Sequence, residues 1–166
     1  MKIYTIGLDD AFSPVEIHFP NVRENLPDNV PLRHSEKNKT LPEMAFFIKP
    51  ILNARAFSIL HPLIENDVNV VRTTLEGKEW YVIEVTSEID ALDYEKSVID
   101  TISSTYILPR KYCFKRERIE NHSIFTLVNG RKAYTYVTDS FVKLVQQNLL
   151  MGLSFHLVWE DANPEE

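Results

Sequence analysis

Six carboxylates fall between positions 84 and 100: Glu84, Glu88, Asp90, Asp93, Glu95 and Asp100. Only Lys96 opposes them, for a local charge of −5. Paired carboxylates can hydrolyse a glycosidic bond when one is raised by burial, its neighbour stays ionised, and the two stand about 5–9.5 Å apart. They can also offer oxygens to a hard cation, but this stretch has neither a calcium-loop spacing nor its turn glycine. An ordinary solvated loop leaving a strand uses the same residues, with Asp90 or Asp93 capping a helix and Ser97 bonding backbone. On general grounds that reading is favoured. A further reading is a contact surface for a basic ligand.

A basic run follows, Arg110, Lys111, Lys115, Arg116 and Arg118 against Glu117, interleaved with Tyr112 and Phe114. Positive charge with aromatic stacking can hold single-stranded nucleic acid. On an acidic chain it more often guards a strand edge, and the acidic and basic patches can face each other. The one cysteine, Cys113, sits between Tyr112 and Phe114, where a free thiol behaves as a small hydrophobe. A serine paired with His122 is the other nucleophile candidate. His18, His34, His61, His122 and His156 show no zinc spacing, and His61 with Glu65 supplies two ligands at most. No catalytic residue, metal or cofactor is expected.

The elements that must position these groups are read from turn chemistry and periodicity. Seven of the nine prolines precede position 63, which predicts extended segments and turns, a wrapping arm over residues 1–52. Asn53 can cap a helix with Phe57, Leu60 and Ile64 on one stripe, kinked or shortened by Pro62. Val68 to Leu75 and Glu79 to Thr86 predict a β-hairpin turning at Glu76-Gly77-Lys78. In its second strand Tyr81, Ile83 and Val85 face one way and Trp80 and Val82 the other, which predicts a central strand covered on both sides. Ile124 to Val128 and Ala133 to Val137 predict a second hairpin through Asn129-Gly130. Thr138 or Asp139 then caps a helix with Phe141, Leu144, Val145 and Leu149 inward and Gly152 at its C-terminal end. Leu153 to Trp159 alternates with Leu153, Phe155, Leu157 and Trp159 on a buried face, and residues 161–166 should fray. The expected fold is therefore α+β: a mostly antiparallel sheet of two hairpins plus a C-terminal strand, with two or three helices packed on it. Residues 53–160 form the core of one domain.

Composition bounds the partners. With 166 residues, 44% hydrophobic, the chain can bury a core without disulfide or metal staples. Four scattered glycines exclude a phosphate-cradling loop. A net charge of −6 argues against nucleic acid as a partner and favours a basic one. Asp9-Asp10 interrupts the first apolar run, and no stretch approaches the ~20 apolar residues of a membrane helix, so a cytoplasmic protein with no membrane partner is expected.

Trp80-Tyr81-Val82-Ile83-Glu84-Val85 runs on to Ile89-Asp90-Ala91-Leu92-Asp93-Tyr94-Glu95-Lys96-Ser97. A strand opened by aromatics and followed by an I-D-A-L-D-x-x-x-S loop resembles immunity-protein family eleven of bacterial polymorphic toxin systems, first catalogued as a domain of unknown function. Leu26-Pro27-Asp28 is similar to that family's early Pro-Asp element, and Asn53 to Ile64 to its helix before the hairpin. Ile124-Phe125, the strand to Val137, the helix from Thr138 and Gly152-Leu153-Ser154-Phe155 are similar to its closing pattern. The resemblance spans about Leu26 to Phe155. It implies a cytoplasmic α+β inhibitor that neutralises a cognate toxin domain by stoichiometric binding, with no cofactor. Glu88, Asp90, Asp93 and Tyr94 are then the expected toxin contacts, and the acidic charge suits a basic toxin. Asp28, Trp80, Tyr81, Asp90, Asp93, Ser97, Gly152 and Phe155 carry the family pattern and can equally serve structure. Two other classes stay open: a carboxylate-based hydrolase using residues 84–100, and a self-associating regulatory module, for which a homodimer is the expected state.

Overall fold

Two sheets, each apolar on both faces, organise the computed structural model, which describes residues 1–18, 29–103, 106–130 and 134–161. In chain order, β1 (Lys2–Leu8), β2 (Val15–Ile17), β3 (Leu32–His34), β4 (Met44–Phe47) and β5 (Lys49–Asn53) lead into α1 (Ala54–Ile64). The hairpin β6 (Val68–Leu75) and β7 (Lys78–Val85) follows, then β8 (Glu88–Ile89), β9 (Val98–Ser103) and β10 (Tyr106–Lys111). After a 3-10 turn at Arg116–Arg118 come β11 (Ile124–Leu127), β12 (Tyr136–Thr138), α2 (Asp139–Gln147) and β13 (Leu153–Glu160). One sheet has the order β13-β1-β12-β11-β8 and the other β4-β5-β7-β6, while β2-β3 and β9-β10 pair separately. Pairing is antiparallel except for β8 on β11. The expected α+β class with mostly antiparallel sheet is what the chain forms.

Alternation along single strands sends neighbouring residues into different layers. On β7, Tyr81 and Ile83 join a central cluster with Leu60 and Ile64 of α1 and Phe141 and Val145 of α2. Trp80 and Val82 point the other way, against Val15, Ile17 and Val30 beneath the β2-β3 pair. On β11 and β12, Ile124 and Val137 face the central cluster, whereas Phe125 and Tyr136 face a third one with Ile3, Leu92, Phe114 and Ile119. β7 is thus an inner strand covered on both sides, as its composition requires.

Local chemistry explains most boundaries. The first hairpin turns through Glu76 and Gly77 alone, both at positive φ (51° and 76°), the geometry that matches strand twist. Asn53 caps α1, its Oδ1 accepting from the Ala56 N–H at 2.9 Å. Pro62 lies inside α1 without ending it, and Ala56, Leu60 and Ile64 are the buried face, with Phe57 at its margin. The stretch 1–52 does more than wrap. It supplies β1 between β13 and β12, and β5 between β4 and β7.

Several expectations are corrected. β11 and β12 pair, but the second strand begins at Tyr136 and the connection is longer than Asn129-Gly130; Ala133 lies outside the described residues, as do Asp28 and the tail after Asp161. The hairpin β9-β10 carries no strong turn signal and contains Pro109, so it was not expected. Leu149 is 80% exposed instead of inward, because α2 ends before it. It takes the left-handed position (φ 52°) usual for glycine, with Leu150 N–H bonding the Val145 carbonyl and Leu149 N–H that of Gln146. Gly152 therefore does not close the helix. Leu157 stays in register with Leu153 and Phe155 yet is 41% exposed, and a register shift opposite Ile3 and Tyr4 inserts Val158 as a bulge, which puts Trp159 on the other face, in the third cluster with Ile3, and breaks the period of two.

Gly152 serves a close approach. A Cβ there would lie 1.9 Å from the Met44 carbonyl oxygen and 2.5 Å from the Pro42 Cβ, at φ 118°. Gly152→Ala should lower stability by about 2–4 kcal/mol in urea unfolding, from backbone strain and overpacking. Gly77→Ala, with open space around it, should lose only about 1 kcal/mol for its left-handed φ.

Candidate binding surface

One buried carboxylate fixes where the acidic stretch begins. Asp67, between α1 and β6, is 3% exposed. Its Oδ1 accepts from the Ser87 hydroxyl at 2.7 Å and lies 2.6 Å from His122 Nδ1. Its Oδ2 accepts from the Ser123 N–H at 2.9 Å, and its main-chain carbonyl from the Thr86 and Ser87 N–H groups. The end of β7 and the start of β11 are thereby tied to one side chain, which sets β8 in parallel register with β11, Glu88 opposite Thr126 and Ile89 opposite Leu127.

From there the I-D-A-L-D-x-x-x-S segment is pinned residue by residue. Ile89, Ala91 and Leu92 pack into the third cluster, and Leu92 bridges to Phe114. Asp93 N–H donates to the Cys113 carbonyl and Lys115 N–H to that of Ala91, both at 2.8 Å. The Ser97 hydroxyl accepts from Cys113 N–H at 3.0 Å and donates to its carbonyl at 3.2 Å. Asp93 Oδ1 accepts from the Glu95 and Lys96 N–H groups, and Lys96 Nζ lies 3.1 Å from Oδ2. That hydrogen bond to Lys96 holds the Asp93 carboxyl below the usual carboxylate range. Asp93, expected as a contact, spends its carboxylate inside the turn it caps; no helix starts there.

What remains on the outside is Glu88, Asp90, Tyr94 and Glu95. Tyr94 is 46% exposed, and its phenol is pushed up by partial burial and by the negative charge of Asp90. An aromatic ring and three acids therefore stand on a backbone braced from β11 and from residues 113–115. The other acids are engaged. Glu84 pairs with Lys49 at 3.0 Å, and Asp100 with Arg110 across the β9-β10 hairpin, so the acidic and basic stretches meet there.

The remaining candidates have structural roles. Tyr112 and Phe114 stack on each other with centroids 5.7 Å apart, and Phe114 is buried edge-on against Phe125, Tyr136 and Trp159. The rings of the basic run thus face the core and offer no platform for bases. Tyr112 and Tyr136 hydroxyls lie 3.3 Å apart, and burial pushes both phenols up. His122, weighed as a base for a serine, is oriented by Asp67, a partner 55 residues away that no spacing rule would find. Ser13, His34 and Glu76 also form a chain, at 3.4 and 2.6 Å, but Ser13 is fully buried and its oxygen accepts from the Glu36 N–H. A groove of about 360 Å³ lies between α2 and β1, lined by Lys2, Tyr4, Asp139, Val142, Lys143, Gln146 and Phe155, with none of the 84–100 carboxylates on it. Of the family-pattern residues, Trp80 fills the second cluster, Tyr81 stacks on Phe57 at 3.8 Å, and Phe155 meets Phe141 edge-on at 6.2 Å. Among the described residues no group of three or more His, Cys, Asp or Glu is placed to hold a metal ion, and no helix is long and apolar enough to cross a membrane.

Removing the Asp67 carboxylate leaves the Ser87 hydroxyl, the Ser123 N–H and His122 without their partner in a buried place. Asp67→Ala should therefore cost about 3 kcal/mol or more by denaturant titration. Asp90→Ala, on the exposed side of the same segment, should stay within about 0.5 kcal/mol of the parent.

Among curated proteins nothing matches the chain. The family model described as Immunity protein family (Imm11) matches residues 65–159, more than half of the chain. That span opens just before Asp67, contains the braced I-D-A-L-D-x-x-x-S segment, and closes on β13. The chain belongs to the Imm11 immunity protein family.

Proposed function

We propose that this chain neutralises a cognate bacterial toxin domain by stoichiometric binding in the cytoplasm, using the surface at β8 and the turn after it. Glu88, Asp90 and Tyr94 are the contacts, and Asp93 and Ser97 hold them in place. The observation that carries this reading is the contrast within one segment: alternate residues are locked by main-chain bonds and core packing while the acids and the ring between them face solvent.

Such a surface suits an inhibitor. A backbone already ordered in the free protein loses little entropy on association. Tyr94 gives an amphipathic anchor of the kind that dominates binding energy, and the two acids give orientation and rate. A net charge of −6 extends that field over the molecule, so a toxin domain with a basic groove is drawn to it at an enhanced rate. Family membership supports an immunity role that operates by occupying a toxin and requires no turnover.

The test is capture of the toxin domain encoded immediately upstream. The purified chain should retain it at one-to-one stoichiometry, and Glu88→Lys with Asp90→Lys should weaken the complex about tenfold or more, chiefly through slower association that depends less on salt. Unchanged affinity in titration calorimetry, with the fold intact, would move the contact surface elsewhere. Failure of the unmodified chain to retain that domain would refute the function itself.

A further inference from the structure

The two ends of the five-stranded sheet are built differently. β8 is two residues long, opened by Glu88 and followed by Asp90, while β13 is an eight-residue edge strand with neither Lys, Arg nor Pro. Some other edges carry such guards, Arg72 on β6 and Pro109, Arg110 and Lys111 on β10, while the unguarded edge strands β4 and β9 are shorter, four and six residues. Long, unguarded edges are what soluble proteins avoid unless something pairs with them.

The direction of the main-chain groups on β13 follows from its neighbours. Ile6 N–H donates to Thr135, on the β12 side, so by alternation Thr5 and Gly7 turn toward β13, where their partners are His156 and Ser154. The N–H and C=O groups of Phe155 and Leu157 consequently point away from β1, to the side on which no described strand pairs with β13. Apolar side chains gather at the same place. Of the five exposed large hydrophobics among the described residues, Leu157 lies on β13 and Leu149 and Met151 just before it, 41%, 80% and 52% exposed. Met151 is held rigidly, its N–H on Glu43 and its carbonyl accepting from the Glu43 and Met44 N–H groups.

We propose that β13 pairs with β13 of a second copy of this chain, antiparallel about a two-fold axis at His156, to give a continuous ten-stranded sheet. Phe155 of one copy then faces Leu157 of the other, and the two such pairs exchange about four main-chain hydrogen bonds. Symmetry favours this occupant: Phe155 and Leu157 lie evenly on either side of His156, so the edge is complementary to itself, and its one acid, Glu160, is paired with Lys2 at 3.0 Å, so the edge adds little to the repulsion between two molecules of −6 and offers little to a basic partner. The bulge at Val158 stops the pairing from running on, and the pairing is isologous, the same edge being used by both copies, so the assembly closes as a dimer. β8, at the far side of the sheet, stays free for the toxin.

Sedimentation velocity and light scattering on the full chain from about 1 to about 200 µM, the range in which modest interfaces associate, test this. The unmodified chain should pass from monomer to dimer within that range. Leu157→Lys and, independently, His156→Lys should raise the dissociation constant at least about tenfold, with unchanged circular dichroism and urea midpoint. A chain that stays monomeric throughout overturns the proposal, as does a dimer indifferent to both substitutions. Toxin capture is measured in parallel. A monomeric Leu157→Lys chain that still captures the toxin domain supports the two-copy edge. Loss of capture with no change in self-association would assign the edge to the toxin and overturn it. If neither protein captures the toxin, the immunity reading fails while the dimer result stands on its own.

Discussion

Asp67 is the point on which the arrangement hinges. A carboxylate with almost no exposure is costly unless every lone pair finds a donor. Here the donors come from three separate parts of the chain: the β7–β8 connection, the residue before β11, and the imidazole of His122. Satisfying the charge therefore requires the four-stranded sheet, which ends at Val85, to stand against the five-stranded sheet, which takes up β11. Hydrophobic clusters on either side are non-directional and would tolerate sliding. The carboxylate supplies the direction.

That constraint propagates to the surface. With Ser87 fixed, β8 can enter only in the register that puts Ile89 inward and Glu88 and Asp90 at the rim, because a one-residue slip would reverse the faces. The turn capped by Asp93 and the clasp between Ser97 and Cys113 then leave Tyr94 no route into the core. Apolar residues and main-chain bonds define the loop, and the charged side chains are what it displays.

What could be read in the sequence was local. Glu76-Gly77 between two β-branched runs, Asn53 ahead of an apolar stripe, and the opposed faces of Trp80 and Tyr81 each involve residues a few positions apart, so turn chemistry and periodicity were enough. The acidic surface was legible as charge, but which acids were spent internally was not. Asp93 looks like Asp90 in a string of letters and differs only through the turn it closes. The Asp67–His122 contact, the bulge at Val158 and the inner placement of β1 all depend on partners far along the chain. β1 in particular was hidden by the prolines around it, which suggest a wrapping segment although the strand itself contains none. Leu149 misled for another reason, since its spacing continues the helical stripe while the backbone has already turned left-handed.

The placement of β1 bears on synthesis. Ile3 pairs with Thr138 on one side and Trp159 on the other, so β1 waits for strands that are made much later than itself. The hairpin of β6 and β7, with β4 and β5 beside it, can close while translation continues, since its contacts span few residues. The larger sheet has no such option. Until β13 emerges from the ribosome, β1 lacks a neighbour on that flank, and its apolar faces need shelter by other means. The larger sheet, and with it the register that sets β8 on β11, is thus completed later than the four-stranded sheet beside it.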